Sequence, residues 1–280
     1  MEMQADDAWP SSRSQAEAVV GECEELGIGI VGWFDEGFPP RLREIPQPPA
    51  VIYFLGDLRV ARQVDAAAVV GTRQPTDWGV RAARIVTSRL ASKGWSVISG
   101  LAIGVDTVAH RTAIEEGAPT VAILGNGLAT VYPASNRHLA HEIVDAGGLL
   151  LSEVPPRTKV EPRALVKRDR LQSGLAAITA VIQGGRSSGA MHTARYAYEQ
   201  GRPLFCAAVS DEDHDSTEQD EGTGALLNEP GRQLPSLLPS WKRVAATRLS
   251  ETPVARPLDE AALSNLSALT PDDPNPARLF

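Results

Sequence analysis

From Ala66 onward the chain alternates short, continuous apolar runs with segments whose apolar residues recur at helical spacing, and glycine turns separate the two. "AAAVVGTR" (66–73) is an apolar run closing in a turn, a pattern that predicts a buried strand. "WGVRAARIVTSRLASKG" (78–94) places Val80, Ala83, Val86 and Leu90 on one helical face and stops at Gly94. "WSVIS" (95–99) predicts the next strand. "SGLAIGVDTVAH" (99–110) is a small-residue turn entering a helix that runs to Glu116. The alternation continues with a strand at 119–125, a helix over 134–146 ended by Gly147, and a strand at 148–153. A strand at 176–185, a helix at 187–201 and a strand at 202–209 complete it. Unbroken apolar runs between helices predict a parallel sheet covered on both faces. The expected fold is α/β: an extended, Rossmann-like, doubly wound, mostly parallel sheet of about six strands or more.

The flanks read differently. Residues 1–62 form a lead-in, helical over Ser14–Leu26 and then rich in proline (39, 40, 46, 48 and 49), which forbids regular helix there. Within it "AVIYFL" (50–55) is a short strand candidate. Residues 63–235 form the Rossmann-like core. Residues 236–280 turn Pro-, Ser- and Asp-rich, with one short helix expected over Leu258–Leu269, and read as a disordered, flexible tail.

Composition narrows the class. Abundant Gly and Ala with 5% aromatics suit close helix–sheet packing. No run reaches the roughly 18 apolar residues of a membrane span. Cys23 and Cys206 lie far apart without ligand spacing, which points to a reducing, cytoplasmic setting and to no metal site. The net charge of −8 argues against a polyanion partner, but it is unevenly placed. Residues 211–221 carry seven carboxylates and no Lys or Arg, so the body is near neutral and leaves room for a local basic groove.

Ligands of open parallel sheets sit beyond the carboxyl ends of the strands. Four such ends carry small or polar residues: Gly71-Thr72-Arg73, Ser99-Gly100 with Gly104, Gly125-Asn126-Gly127, and Gly184 to Gly189. Together they predict an anion pocket in which backbone amides and Arg73 hold a phosphate. Ser188, Gly189 and Thr193 belong to the last of these ends. "VKRDRLQSG" (166–174) packs Lys167, Arg168 and Arg170 too densely for one helix face, and so reads as a phosphate-gripping loop or a polar connector. Asp106 and His110 (i, i+4) lack a third partner in sequence, so a helix-start carboxylate and a packed histidine are expected rather than catalysis. His138 and His141 read as a solvated helix face. No catalytic group and no cofactor is expected.

Taken in order, "FPPRLREIPQPPAVIYFLGDL", "VVGTRQPTDWG", "VISGLAIGVDTVAHRTAI", "PTVAILGNGLATVYPASNRHLAHEI", "GLLLSE", "RDRLQSGL" and "SSGAMHTARYAYEQGRPLF" resemble the DNA-processing protein A (DprA/Smf) family over residues 38–232. The resemblance implies an extended Rossmann fold and a non-enzymatic, homodimeric, single-stranded DNA-binding protein. Such a protein acts in DNA uptake and recombination, protecting the strand and assisting loading of a RecA-type recombinase. Carried over by position, it points to Gly71, Arg73, Ser99, Gly100, Gly125, Gly127, Arg168, Arg170, Ser188, Gly189 and Thr193 as pocket residues.

The chain also departs from the family pattern. Ile103 stands where the family usually has arginine, Asp169 replaces the asparagine of "RNR", and Gln183 replaces an acid. The "PG" after the last strand is missing, and the C-terminal winged-helix piece of many members is not recognisable. These departures keep two alternatives open. One is a sensor of a nucleotide-derived small ligand, akin to the wider superfamily of cytokinin-activating phosphoribohydrolases, although "GGRSSGAMHTAR" lacks those enzymes' nearby glutamate. The other is an interaction scaffold that has lost its ligand.

Overall fold

The computed structural model describes residues 8–208 and 216–266. Nine strands form one sheet: β1 (Gly29–Gly32), β2 (Val51–Gly56), β3 (Ala66–Val70), β4 (Ser96–Ser99), β5 (Thr120–Leu124), β6 (Leu149–Ser152), β7 (Ile178–Val181), β8 (Leu204–Ala207) and β9 (Arg256–Leu258). Their order is β1-β2-β6-β5-β4-β3-β7-β8-β9, with β1–β2 and β2–β6 antiparallel and the remaining pairs parallel. The helices are α1 (Ala8–Leu26), α2 (Pro40–Arg43), α3 (Asp77–Ser92), α4 (Val105–Glu115), α5 (Arg137–Asp145), α6 (Pro162–Leu175), α7 (Ala190–Glu199), α8 (Glu221–Asn228), α9 (Leu234–Leu237) and α10 (Glu260–Ser264).

The expected doubly wound architecture is present. Strands β3, β4, β5, β7 and β8 are buried along their whole length, as a sheet covered on both faces demands. Three alanines in β3 let helices approach closely. The run β3-β4-β5-β6 winds one way, and the chain then crosses to β7 on the other side of β3. The carboxyl ends of β3 and β7, paired Val70 to Val181, are therefore the topological switch point where such folds place ligands.

Three segments differ from the sequence reading. The lead-in joins the sheet through β1 and β2, with Phe38, Leu42, Ile45 and Ile52 buried. Prolines broke the pattern without preventing burial. Helix α6 occupies the stretch read as a loop. It starts at Pro162 and buries Leu171 and Leu175, but it also buries Arg168, Asp169, Arg170 and Gln172, which hides its apolar stripe from any periodicity count. Residues 236–266 of the tail are packed. Leu238, Trp241 and Leu258 are fully buried, β9 pairs with β8, and the helix there is α10, shorter than expected. Widely spaced anchors of this kind leave no periodic signature. Residues 267–280 lie outside the described residues, as do Asp211, Glu212, Asp213 and Asp215 of the acidic segment.

Candidate nucleic-acid interface

A cavity of about 440 Å³ opens at the switch point. The turn after β3 (Gly71, Thr72, Arg73), the start of α7 (Ser188, Gly189, Thr193, with His192) and helix α6 (Arg168, Asp169, Gln172) line it, together with Ala102 and Asp106. Arg73 is exposed at this site, and Gly189 has open space around it. Two of the four glycine-bearing strand ends, those after β3 and β7, thus meet in one place. Lys167 is exposed and lines a neighbouring groove instead, with its Nζ 3.5 Å from Glu153.

The other expected ligand groups are occupied by the protein itself. The Ser99 hydroxyl donates to the Val69 carbonyl at 2.7 Å and is fully buried. The Gly100 and Ala102 N–H groups donate to Asp106 Oδ2 at 3.0 and 3.3 Å, so the amide nest expected to hold an external anion holds an internal one. Gly104 is required for packing. Its φ of 86° and the close approach of the Thr72–Arg73 backbone leave no room for a side chain, and Val105 N–H donates to Thr72 O at 3.2 Å. Gly125 and Gly127 are buried against Leu165 and against the Pro155 and Pro156 carbonyls, outside the cavity.

Arg168 and Arg170 are both buried and bonded within the protein. Arg168 is 5% exposed, and its Nη1 donates to Gly100 O at 2.7 Å and to Ile123 O, tying the ends of β4 and β5 together. It presents one edge to the cavity and lies 3.3 Å from Asp169. Arg170 makes a two-pronged pair with Glu153 at 2.7 and 2.5 Å, donates to Gln47 O, and does not line the cavity. Arginines that satisfy buried carbonyls and carboxylates hold the fold before they can hold a ligand.

Burial sets the titration of the site. The Asp169 carboxyl is pushed up to about 7 by burial, against the attraction of Arg168. Burial also raises Asp106, opposed by Arg168 and by its two backbone donors. His110 is buried, and burial with Arg168 holds it at about 3. Thr120 donates to Val97 O, so the neutral His110 gives its Nδ1 proton to Thr120 Oγ1 at 2.8 Å, a packing role as expected. His192 is half-buried and lowered by burial, then by Arg195 and Arg243.

The sequence reading singled out Gln183 and the acidic segment without linking them. Gln183 Oε1 accepts from Thr76 N–H at 2.9 Å, and its Nε2 donates to Asp220 Oδ1 at 2.8 Å. A carboxylate at 183 could not make the second bond. Thr72 Oγ1 donates to Gln219 Oε1 at 2.8 Å, and Gly222 N–H donates to Gly184 O. The described end of the acidic segment is therefore laid against the cavity wall, and the Thr72 hydroxyl is engaged by the protein itself.

These elements define a Rossmann-like α/β protein with a cavity and an exposed arginine at the switch point of its sheet, the crevice where folds of this class bind their ligands. Residues 29–234 match the family model for "DNA recombination-mediator protein A", and the chain belongs to that family. It is 41% identical over 174 residues to "Protein Smf" of Synechocystis sp., a match covering 61% of this chain and 44% of the relative. It is 35% identical over 192 residues to "DNA processing protein DprA" of Bacillus subtilis, covering 69% of this chain and 64% of the relative. The chain thus spans between about two fifths and two thirds of these relatives' own lengths. Among solved structures, DNA processing protein A from Helicobacter pylori, described with a single-stranded DNA binding mode, superposes with a TM-score of 0.62 at 27% identity. That match covers 71% of this chain and 86% of the other.

Proposed function

We propose that this chain is a non-catalytic, single-stranded DNA-binding protein of DNA uptake and recombination. On this reading it works in the cytoplasm as a homodimer, shields the strand and assists a RecA-type recombinase. The observation that carries the reading is the switch-point cavity, with exposed Arg73 on one side and the turn of Ser187, Ser188 and Gly189 before α7 on the other. The likeness to a relative whose described property is single-stranded DNA binding supports it. Arginine and backbone amides grip phosphates without reading sequence, and such binding weakens with salt. Fluorescence anisotropy with an oligothymidylate should show salt-sensitive binding, and Arg73→Ala should weaken it by about tenfold at moderate salt. Undiminished binding by that variant would remove the cavity from the interface.

A second reading rests on the cavity's size, which lies within the range of about 300–1,000 Å³ usual for small-ligand sites. A nucleotide-derived ligand would find Asp169 and Gln172 there as polar partners. Only this reading has a mononucleotide raising the melting temperature of the protein, so a thermal-shift screen separates the two.

A further inference from the structure

A groove of about 690 Å³ lies beside the switch-point cavity, between α6, α7 and the Pro239–Arg243 turn. Five cations line it: Arg163 and Lys167 from α6, Arg186 from the glycine turn, Arg195 from α7, and Arg243. No carboxylate is among its described lining residues. Three of the cations have a carboxylate behind them: Glu153 at 3.5 Å from Lys167, Glu221 at 2.8 Å from Arg186 and Glu199 at 2.9 Å from Arg195. Arg163 and Arg243 are exposed and have no ion-pair partner among the described residues. The Arg195 guanidinium lies 4.1 Å from the Tyr196 ring centroid, which makes a flat, polarised wall.

The groove is continuous with the cavity, because Val166, Ser187, Ser188 and His192 line both. Its far wall lies beyond the family-matched residues. That wall is held by Trp241, which is fully buried and packed on Tyr198 with ring centroids 5.3 Å apart, so the turn carrying Arg243 is anchored against α7.

We propose that this groove is a second subsite for a single strand, taking the phosphodiester chain as it leaves the switch-point cavity, with Arg163 and Arg243 as its phosphate contacts. The inference rests on the single-stranded DNA reading. A cluster of cations costs stability through self-repulsion, and a polyanion relieves it. An aromatic wall among arginines suits stacked bases without choosing a sequence.

The test is the length dependence of binding by the full chain carrying Arg163→Ala and Arg243→Ala together, both exposed and outside the core. Anisotropy is read with oligothymidylates of about 4 and about 16 nucleotides. The double variant should bind the long strand about tenfold more weakly and the short one as before. Its plot of log affinity against log salt should flatten by about 1.4, at about 0.7 per lost phosphate contact. A control with Arg84→Ala and Arg89→Ala, on the exposed face of α3, should leave both slopes unchanged. The subsite is overturned if the double variant binds the long strand with unaltered affinity and slope, or if the control lowers the slope as much. Failure of the wild-type chain to bind either strand would overturn the functional reading itself. Loss of binding in Arg73→Ala with no change in the double variant would sink only the groove.

Discussion

Asp169 shows how one residue can be reset by its surroundings. In the alternating pattern it reads as a charge in a basic connector, and in the fold it is buried beside Arg168 and lines the cavity. Gln172 Nε2 donates to Asp169 Oδ1 at 2.9 Å, and Arg168, Asp106 and Arg73 complete the charges that act on it. Because the folded group holds its proton up to about 7 while the unfolded one releases it near the ordinary aspartate value, its stabilising protonation is fully present below that ordinary value. That contribution is lost as pH rises through about 7. Wild-type stability measured by denaturant should therefore fall across this window relative to Asp169→Asn. The ionised form adds negative charge to the cavity, so DNA affinity should rise as pH drops through 7 in the wild type and change less in the variant. His192 is held below its ordinary value and does not account for a transition at 7. A variant with the wild-type pH profile would place the titration elsewhere.

At the scale of elements, the turn from β4 into α4 passes through positive φ twice, at Leu101 (φ 59°) and at Gly104. Gly104 takes φ 86° and ψ −132°, a conformation close to glycine's own, with the Thr72–Arg73 backbone against it. Gly104→Ala should cost about 2 kcal/mol or more in a urea melt and loosen the Arg73 turn, so that DNA binding weakens together with stability. A stability loss without any binding change would mean the turn is not held through this contact. The strand–turn–helix unit itself was legible in the sequence: small residues, then a helical pattern with an early acid. What the acid does was legible only in part. Asp106 was expected near a helix start, but its capture of the Gly100 and Ala102 amides depends on how the turn closes. Helix α6 was illegible for the opposite reason. Its buried face is largely polar, and hydrophobic periodicity cannot register inward arginines satisfied by partners distant in the chain, or an inward aspartate and glutamine that bond each other.

For the whole molecule, the segment after residue 235 is part of the fold. Trp241 lies in one cluster with Leu238, Tyr198 and Leu234. Trp241→Ala should destabilise the protein by about 3–5 kcal/mol, as expected for a large buried aromatic. A loss under about 1 kcal/mol would return this segment to a loosely attached tail. The same variant should weaken binding of long strands more than short ones if the turn carrying Arg243 forms the groove wall.

The sequence by itself determined the parallel core, the strand–helix alternation that builds it apart from α6, the family, and the turn after β3 with Arg73. Each of these follows from local apolar runs, glycine turns and motif order, which need no partner to be read. Only the tertiary structure decided which polar groups line the cavity and the groove. Ser99, Arg168 and Arg170 are claimed by carbonyls and carboxylates far away in the chain, while Arg163 and Arg243 are brought to one groove. The physical reason is that a buried polar group must be satisfied, and its partner is chosen by the fold rather than by its neighbours in sequence.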